Sequence, residues 1–331
     1  MTDIQHEEWS GDHRSHPPLQ GGPVSMEPFA TGMFTEAVIA GGGSLQPLDE
    51  TTKGLLWVSP SGADQLQAIV ERHPGIEWIQ LPWAGVDAFA PVLANLASRN
   101  EALRPVVTSA KGAYSEPVAE HALALLLGTM RELPRKAREA RWQEERTGLS
   151  LFGRHIVLLG AGGVARAFLD LVAPLRPQVT VVRRSGGDIP GATRTVSSDR
   201  LHDVLPGADA VVVAAAATPQ TAHLIGQREL DLLPDHAVVV NIARGSLVDA
   251  DAVLKAVSQG KLFGAGLDVM DPEPFPDDHP IWQESRIVIT SHSADTPPMT
   301  APLLARRIRS NVASYVARES LLGVVDVEAG Y

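Results

Sequence analysis

Cysteine is absent from the 331 residues of this chain. That excludes disulfides, thiolate metal sites and a cysteine nucleophile, and it suits a reducing compartment. Apolar runs of membrane length are missing too. The longest, Ala208–Ala217, is interrupted by Asp209, whereas a spanning helix needs about 20 apolar residues. Positive charge is in deficit: 28 Lys and Arg stand against 39 Asp and Glu, for a net charge of −11. A nucleic-acid partner calls for the opposite, a basic surface. The segment Met1–Ser10 carries Asp3, Glu7 and Glu8 around no apolar core, unlike a secretory signal. The expectation is a soluble, cytoplasmic chain that meets neither nucleic acid nor membrane.

What is present is ordinary for a globular protein, 44% apolar and 20% charged residues, and the length suggests two domains. Residues 1–22 are polar, with His6, His13, His16, Pro17, Pro18, Gly21 and Gly22. They read as a disordered tail unable to bury enough apolar surface, a simpler account of the histidines than a metal site. Phe29, Met33 and Ala37, with Phe34 and Val38 beside them, predict a helix face ended by Gly41–Gly43. Strands are predicted at 44–47, 55–58, 76–81 and 105–109, and helices at 61–72 and 88–98. Alternation of this kind gives a parallel sheet covered on both faces.

The segment EPVAEHALALLLGTM (116–130) reads as a buried helix with Pro117 in its first turn, and the charged stretch 131–146 as a further helix containing Trp142. Six more strands follow at 155–159, 179–182, 210–214, 237–241, 264–269 and 286–290, then a last helix near 298–318. The class is therefore α/β, with two doubly wound parallel-sheet domains, the second of Rossmann type.

After the strand HIVLL, Gly160, Gly162 and Ala165 form a G-x-G-x-x-A pattern. The first glycine permits a tight turn, the second lets the backbone approach a pyrophosphate, and the small third residue allows close helix–strand packing. The amides of Gly163 and Val164 then open a helix toward phosphate. Dinucleotide domains selective for NAD place a carboxylate at the end of the next strand, for the ribose hydroxyl. Here VTVV runs into Arg183 and Arg184, and guanidinium groups grip a 2′-phosphate. The expected cofactor is NADP in preference to NAD, with a solvated basic pair as the alternative.

Three segments carry more: NIARGSLVD (241–249), GAGLDVMDPEPFP (264–276) and ITSHSADTPP (289–298). With LPWAGVD (81–87) and EPVAEHALALLL (116–127), they resemble the D-isomer-specific 2-hydroxyacid dehydrogenases, glyoxylate/hydroxypyruvate reductases among them, over residues 76–318. The resemblance implies a flavodoxin-like substrate domain over 23–112 and 297–331, a dinucleotide domain over 113–296, and a homodimer. It implies catalysis by Arg244, Glu273 and His292, each falling just after a predicted strand, where open α/β sheets bind ligands. Arg244 would polarise the carbonyl and hold the carboxylate of a small 2-oxo acid. His292 would exchange the proton of the 2-hydroxy acid, and Glu273 would fix the tautomer of His292. The resemblance also puts Thr218, Ile242, Ala243 and Asp268 along the cofactor, and Trp83, Ala84, Gly85 and Val86 at the substrate carboxylate.

Each of these residues taken alone has a structural explanation; the catalytic reading rests on their joint occurrence. The chain departs from the family pattern at Ala165, at Gly163, where a basic residue is usual and Arg166 is a substitute, and at Asp295, an added negative charge near the site. Alternatives are a phosphite- or formate-type dehydrogenase of the same superfamily and a dinucleotide-sensing corepressor-like binding protein. The Glu–His pair argues against formate, and the acidic composition favours an enzyme.

Overall fold

The computed structural model describes residues 16–184 and 187–330. They divide into two compact units, one running to Tyr114 and resuming at Pro297, the other Ser115–Thr296.

The first unit is a parallel sheet of β1 (Val24–Glu27), β2 (Gly54–Trp57), β3 (Trp78–Gln80) and β4 (Val106–Thr108), in that order. Its helices are α1 (Gly32–Ala40), α2 (Ala63–Arg72) and α3 (Ala90–Ala97). The strand expected at 44–47 shrinks to one parallel bridge between Leu45 and Val24. That bridge sits on the far side of β1 and completes the flavodoxin-like order. α1 ends where expected, at Gly41 with Gly42 at φ +80°, but its buried face is Phe34, Ala37 and Val38. Phe29 and Met33 are exposed, a correction to the predicted stripe.

The described part of the tail is not loose. Leu19 is buried, the amides of Gln20 and Gly21 donate to the Glu77 carboxylate, and His16 accepts from the Leu321 amide. Three hydrogen bonds to two residues distant in sequence, Glu77 and Leu321, fix residues whose composition alone predicted disorder. His6 and His13 lie outside the described residues.

The second unit opens with α4 (Ser115–Met130) and the short α5 (Leu133–Lys136). Helix does not continue through 131–146 as predicted. Glu132 at φ 53° breaks it after α4, and from Ala137 to Ser150 the chain runs in turns and irregular backbone, with Trp142 exposed. The stretch offers charge pairs such as Arg135–Glu139, but an isolated helix needs an apolar face to pack.

Among the described residues seven parallel strands follow, one more than predicted: β5 (His155–Leu159), β6 (Gln178–Arg183), β7 (Arg194–Ser197), β8 (Ala210–Val213), β9 (Val238–Asn241), β10 (Gly264–Leu267) and β11 (Ile287–Ile289). α6 (Gly163–Val172) follows β5, α7 (Leu201–Val204) follows β7, α8 (Gln227–Leu232) follows β8, and α9 (Ala250–Ser258) follows β9. β8, β9 and β10 are buried along their whole length, as the central strands of a two-sided sheet must be. The order β11-β10-β9-β8-β5-β6-β7 reverses direction at β5, so the ligand crevice of a Rossmann sheet opens beyond the carboxyl ends of β5 and β8. The last helix, α10 (Pro297–Ala317), returns to the first unit and packs on α1, where Val312 closes over Gly41 and Gly43.

Candidate active site

All the strands of the second sheet run the same way, so their carboxyl ends share one edge, and every sequence-predicted residue of this unit stands on it. After β5, Gly160 has φ +110° and sits against the next strand's exit: a Cβ there would lie 2.4 Å from the Ala214 carbonyl oxygen. Only glycine fits. Gly162 is different, because a Cβ built on it meets nothing within 4 Å. Beside that open space the first amides of α6, those of Gly163 and Val164 among them, have no carbonyl of their own helix to bond. Ala165 is fully buried in the core between sheet and helices. This cradle of small residues and helix-start amides fits a dinucleotide pyrophosphate. Arg183 ends β6, paired in register with Ser197, and Arg184 is exposed just beyond. Thr218 lies past β8, its amide donating to Thr221 Oγ1.

The catalytic candidates come from three adjacent strand ends. Past β9, Asn241 is buried and braces the turn from both sides. Its amide donates to the Arg244 carbonyl at 2.9 Å, and its carbonyl oxygen accepts from the Ala243 amide at 3.1 Å. Ile242 is buried and Ala243 half-buried, and Arg244 begins a short 3-10 turn in extended conformation. Gly245 packs against the segment after β10 so closely that a Cβ would lie 1.9 Å from Met270 backbone atoms. The Arg244 turn is thereby fixed against the loop carrying Glu273.

Glu273 uses both oxygens: Oε1 accepts from the Met270 amide at 3.0 Å and Oε2 from His292 Nδ1 at 2.8 Å. A carboxylate only accepts, so Nδ1 carries the proton and Nε2 is left for a reacting group. His292 reaches this position through a tight turn, with Ser291 and His292 at φ 47° and 51° and the His292 amide donating to the Asp268 carbonyl.

Asp268 is the buried charge of the site, 1% exposed. Burial pushes its carboxyl up, but hydrogen bonds from His121, Thr290 and the Ser293 amide outweigh it and hold it below the ordinary aspartate value. Asp295 is half-buried and goes the other way. Burial raises its carboxyl, helped by the negative Asp268 and opposed by His292 and Arg244.

Trp83, Ala84, Gly85 and Val86 stand in the first unit, in the turn after β3. The Trp83 carbonyl accepts from the Ala110 amide, the Tyr114 hydroxyl donates to the Pro82 carbonyl, and the Trp83 and Tyr114 rings meet edge to face. Among the described residues no group of three His, Asp or Glu side chains could hold a metal, and no helix is long and apolar enough to cross a membrane.

His121, Asn241 and Thr290 were not predicted. His121 had one visible signal, a single imidazole in the apolar run of α4.

Residues 122–294 match the family model of the D-isomer specific 2-hydroxyacid dehydrogenase NAD binding domain. A protein of Corynebacterium melassecola, described as uncharacterized and encoded in the proB 3′ region, is 31% identical over 302 residues, 90% of this chain and 96% of that one. A glyoxylate reductase of Korarchaeum cryptofilum is 28% identical over 67% of this chain and 69% of its own. Among solved structures, a D-isomer specific 2-hydroxyacid dehydrogenase from Xanthobacter autotrophicus Py2, in complex with NADPH and MES, superimposes with a TM-score of 0.76. It is 25% identical and covers 94% of this chain and all of that one.

Proposed function

Since the chain belongs to the D-isomer specific 2-hydroxyacid dehydrogenase family and is an NAD(P)-dependent oxidoreductase of 2-oxo and 2-hydroxy acids, we propose that it reduces small 2-oxo acids of the glyoxylate and hydroxypyruvate type. The observation that carries this reading is the 2.8 Å pair of His292 and Glu273 beside Arg244 on adjoining strand ends. When bound, the nicotinamide supplies the hydride. The chain's own residues do the rest. Arg244 binds the substrate's carboxylate and draws charge from its carbonyl as negative charge develops on oxygen. His292 Nε2 delivers the proton that turns that oxygen into a hydroxyl, and Glu273 keeps the ring oriented through Nδ1. The amides of the 83–86 turn are assigned the substrate carboxylate and Trp83 the pocket wall.

Gly160, Gly162, Gly163 and Val164 would hold the pyrophosphate, and Thr218, Ile242, Ala243 and Asp268 the nicotinamide side. Arg183 and Arg184 support NADP over NAD. The Xanthobacter relative was crystallised with NADPH. Asp295 narrows the substrate class. Asp268, Glu273 and Asp295 already put three carboxylates around two basic groups, so a substrate with a second anionic group meets net repulsion. A homodimer accompanies the reading on family resemblance, and a cytoplasmic location on the absence of cysteine.

The test is a panel of glyoxylate, hydroxypyruvate, pyruvate and bulkier 2-oxo acids with NADPH and NADH, run on the unmodified chain and on His292→Ala. Glyoxylate and hydroxypyruvate should lead, and His292→Ala should lose about a hundredfold or more in kcat. Near-native turnover by His292→Ala refutes the assignment.

A further inference from the structure

α4 brings one polar side chain to the carboxyl edge of the sheet. His121 Nε2 lies 2.9 Å from Thr290 Oγ1 and 3.3 Å from Asp268 Oδ1. The Thr290 hydroxyl in turn donates to Asp268 Oδ1 at 2.6 Å. A hydroxyl has one hydrogen, and Thr290 spends it on the carboxylate, so toward His121 it can only accept. His121 Nε2 therefore carries the proton. The three groups form one directed chain of hydrogen bonds, from imidazole to hydroxyl to carboxylate.

The chain has an uneven effect on Asp268. Oδ1 receives Thr290, the Ser293 amide at 2.9 Å and the longer contact from His121. Among the described residues Oδ2 receives only the Ala294 amide, at 3.2 Å. A carboxylate offers about four acceptor positions, so Oδ1 is filled and Oδ2 keeps a place. A buried carboxylate held by one oxygen is set in rotation as well as in position. Without the donors on Oδ1, desolvation favours turning or protonating it.

The geometry points to His121 as a positioning residue for the nicotinamide end of the cofactor: by anchoring Thr290 and Asp268 Oδ1, it leaves Asp268 Oδ2 to accept an N–H from the carboxamide. This rests on the NAD(P) reading above and goes beyond it in assigning a role to a residue on α4. His121 stays outside the reacting set and acts only through Asp268.

The experiment is fluorescence titration of the full chain with two ligands. One is NADPH; the other is 2′-phospho-ADP-ribose, the same dinucleotide without its nicotinamide. His121→Leu should raise the Kd for NADPH about tenfold, the scale of one lost charge-assisted hydrogen bond. The Kd for the fragment should stay within about twofold, less than the loss of one ordinary hydrogen bond. His121→Gln, whose amide N–H can replace Nε2–H, should recover most of the NADPH affinity. Melting temperatures of the three proteins establish that each is folded. Equal weakening of both ligands, or of neither, overturns the proposal, as does His121→Gln binding NADPH no better than His121→Leu. An unmodified chain that binds neither NADPH nor NADH instead overturns the functional reading itself.

Discussion

Glu273→Gln is the sharpest perturbation of the proposed catalytic pair, because it keeps the size of the side chain and changes only what it can accept. The native carboxylate faces two donors, the Met270 amide at 3.0 Å and His292 Nδ1 at 2.8 Å. Both oxygens are acceptors, so both are satisfied. A glutamine has one carbonyl oxygen and one amino group. If its oxygen serves Met270, the amino group faces Nδ1 and the neutral ring must move its proton to Nε2, which then has no lone pair with which to act as a base. If its oxygen serves His292, the amino group faces the Met270 N–H, donor against donor. One charge-assisted bond is lost either way, worth about 1.5–3 kcal/mol. The two side chains are 48% and 39% exposed, so solvent screening pulls the loss to the lower end. At about 1.4 kcal/mol per decade, kcat should fall roughly tenfold, with KM for the 2-oxo acid nearly unchanged. Steady-state kinetics at saturating cofactor measures this. A kcat within about twofold of native, well inside the loss of one such bond, would show that the contact does not govern His292.

The double change Arg183→Asp with Arg184→Ala should reverse a preference for NADPH rather than weaken both cofactors. The starting preference is about tenfold after screening of an exposed guanidinium–phosphate contact; equal kcat/KM for NADH and NADPH in the unmodified chain defeats the idea. Asp295→Asn should raise kcat/KM for 2-oxo acids bearing a second anionic group by about fivefold or more, from removal of one near-surface charge, and leave glyoxylate little changed; no change in that ratio refutes the charge filter. Burial pushes the Asp209 carboxyl up, but the His155 amide, His236 and Arg154 outweigh it and hold it below the ordinary value. Its stabilisation is therefore complete above the unfolded aspartate pKa of about 3.9 and disappears as pH falls through the folded value. Asp209→Asn should accordingly cost about 1–2 kcal/mol in denaturant unfolding at neutral pH, and a gap that persists unchanged at pH 3 contradicts the sign.

How far the fold was legible depended on burial. Strands such as VVVN and AVVV are apolar throughout because the sheet is covered on both faces, and their sequence shows it. β7 is Arg-Thr-Val-Ser at the sheet's edge, with no buried residue, and nothing in such a pattern separates it from a loop. The α1 stripe misled for a related reason. Spacing by four picks out a helix face, but Phe29 precedes the helix and Met33 lies in its first turn, where packing partners run out. Residues 16–22 are ordered by Glu77 and Leu321, partners distant in sequence that composition cannot reveal.

The site divides along the same line. Motif positions were readable because a parallel sheet sends every functional loop to one edge, so placing a residue after a strand places it at the site. What joins the loops was not readable. Gly245 stands in the sequence as one glycine among 29, yet its missing Cβ lets the Arg244 turn press onto Met270, the residue whose amide fixes Glu273. Ser291 and His292 adopt left-handed backbone without glycine, which their identities do not announce. In that turn the His292, Ser293 and Ala294 amides all point at Asp268. The buried carboxylate thus organises the loop that carries His292, the proposed proton donor, while His121 and Thr290 hydrogen-bond the carboxylate in turn. Sequence motifs name the groups proposed to meet the substrate; the hydrogen bonds to Asp268 account for how the loop carrying His292 is held at the same sheet edge.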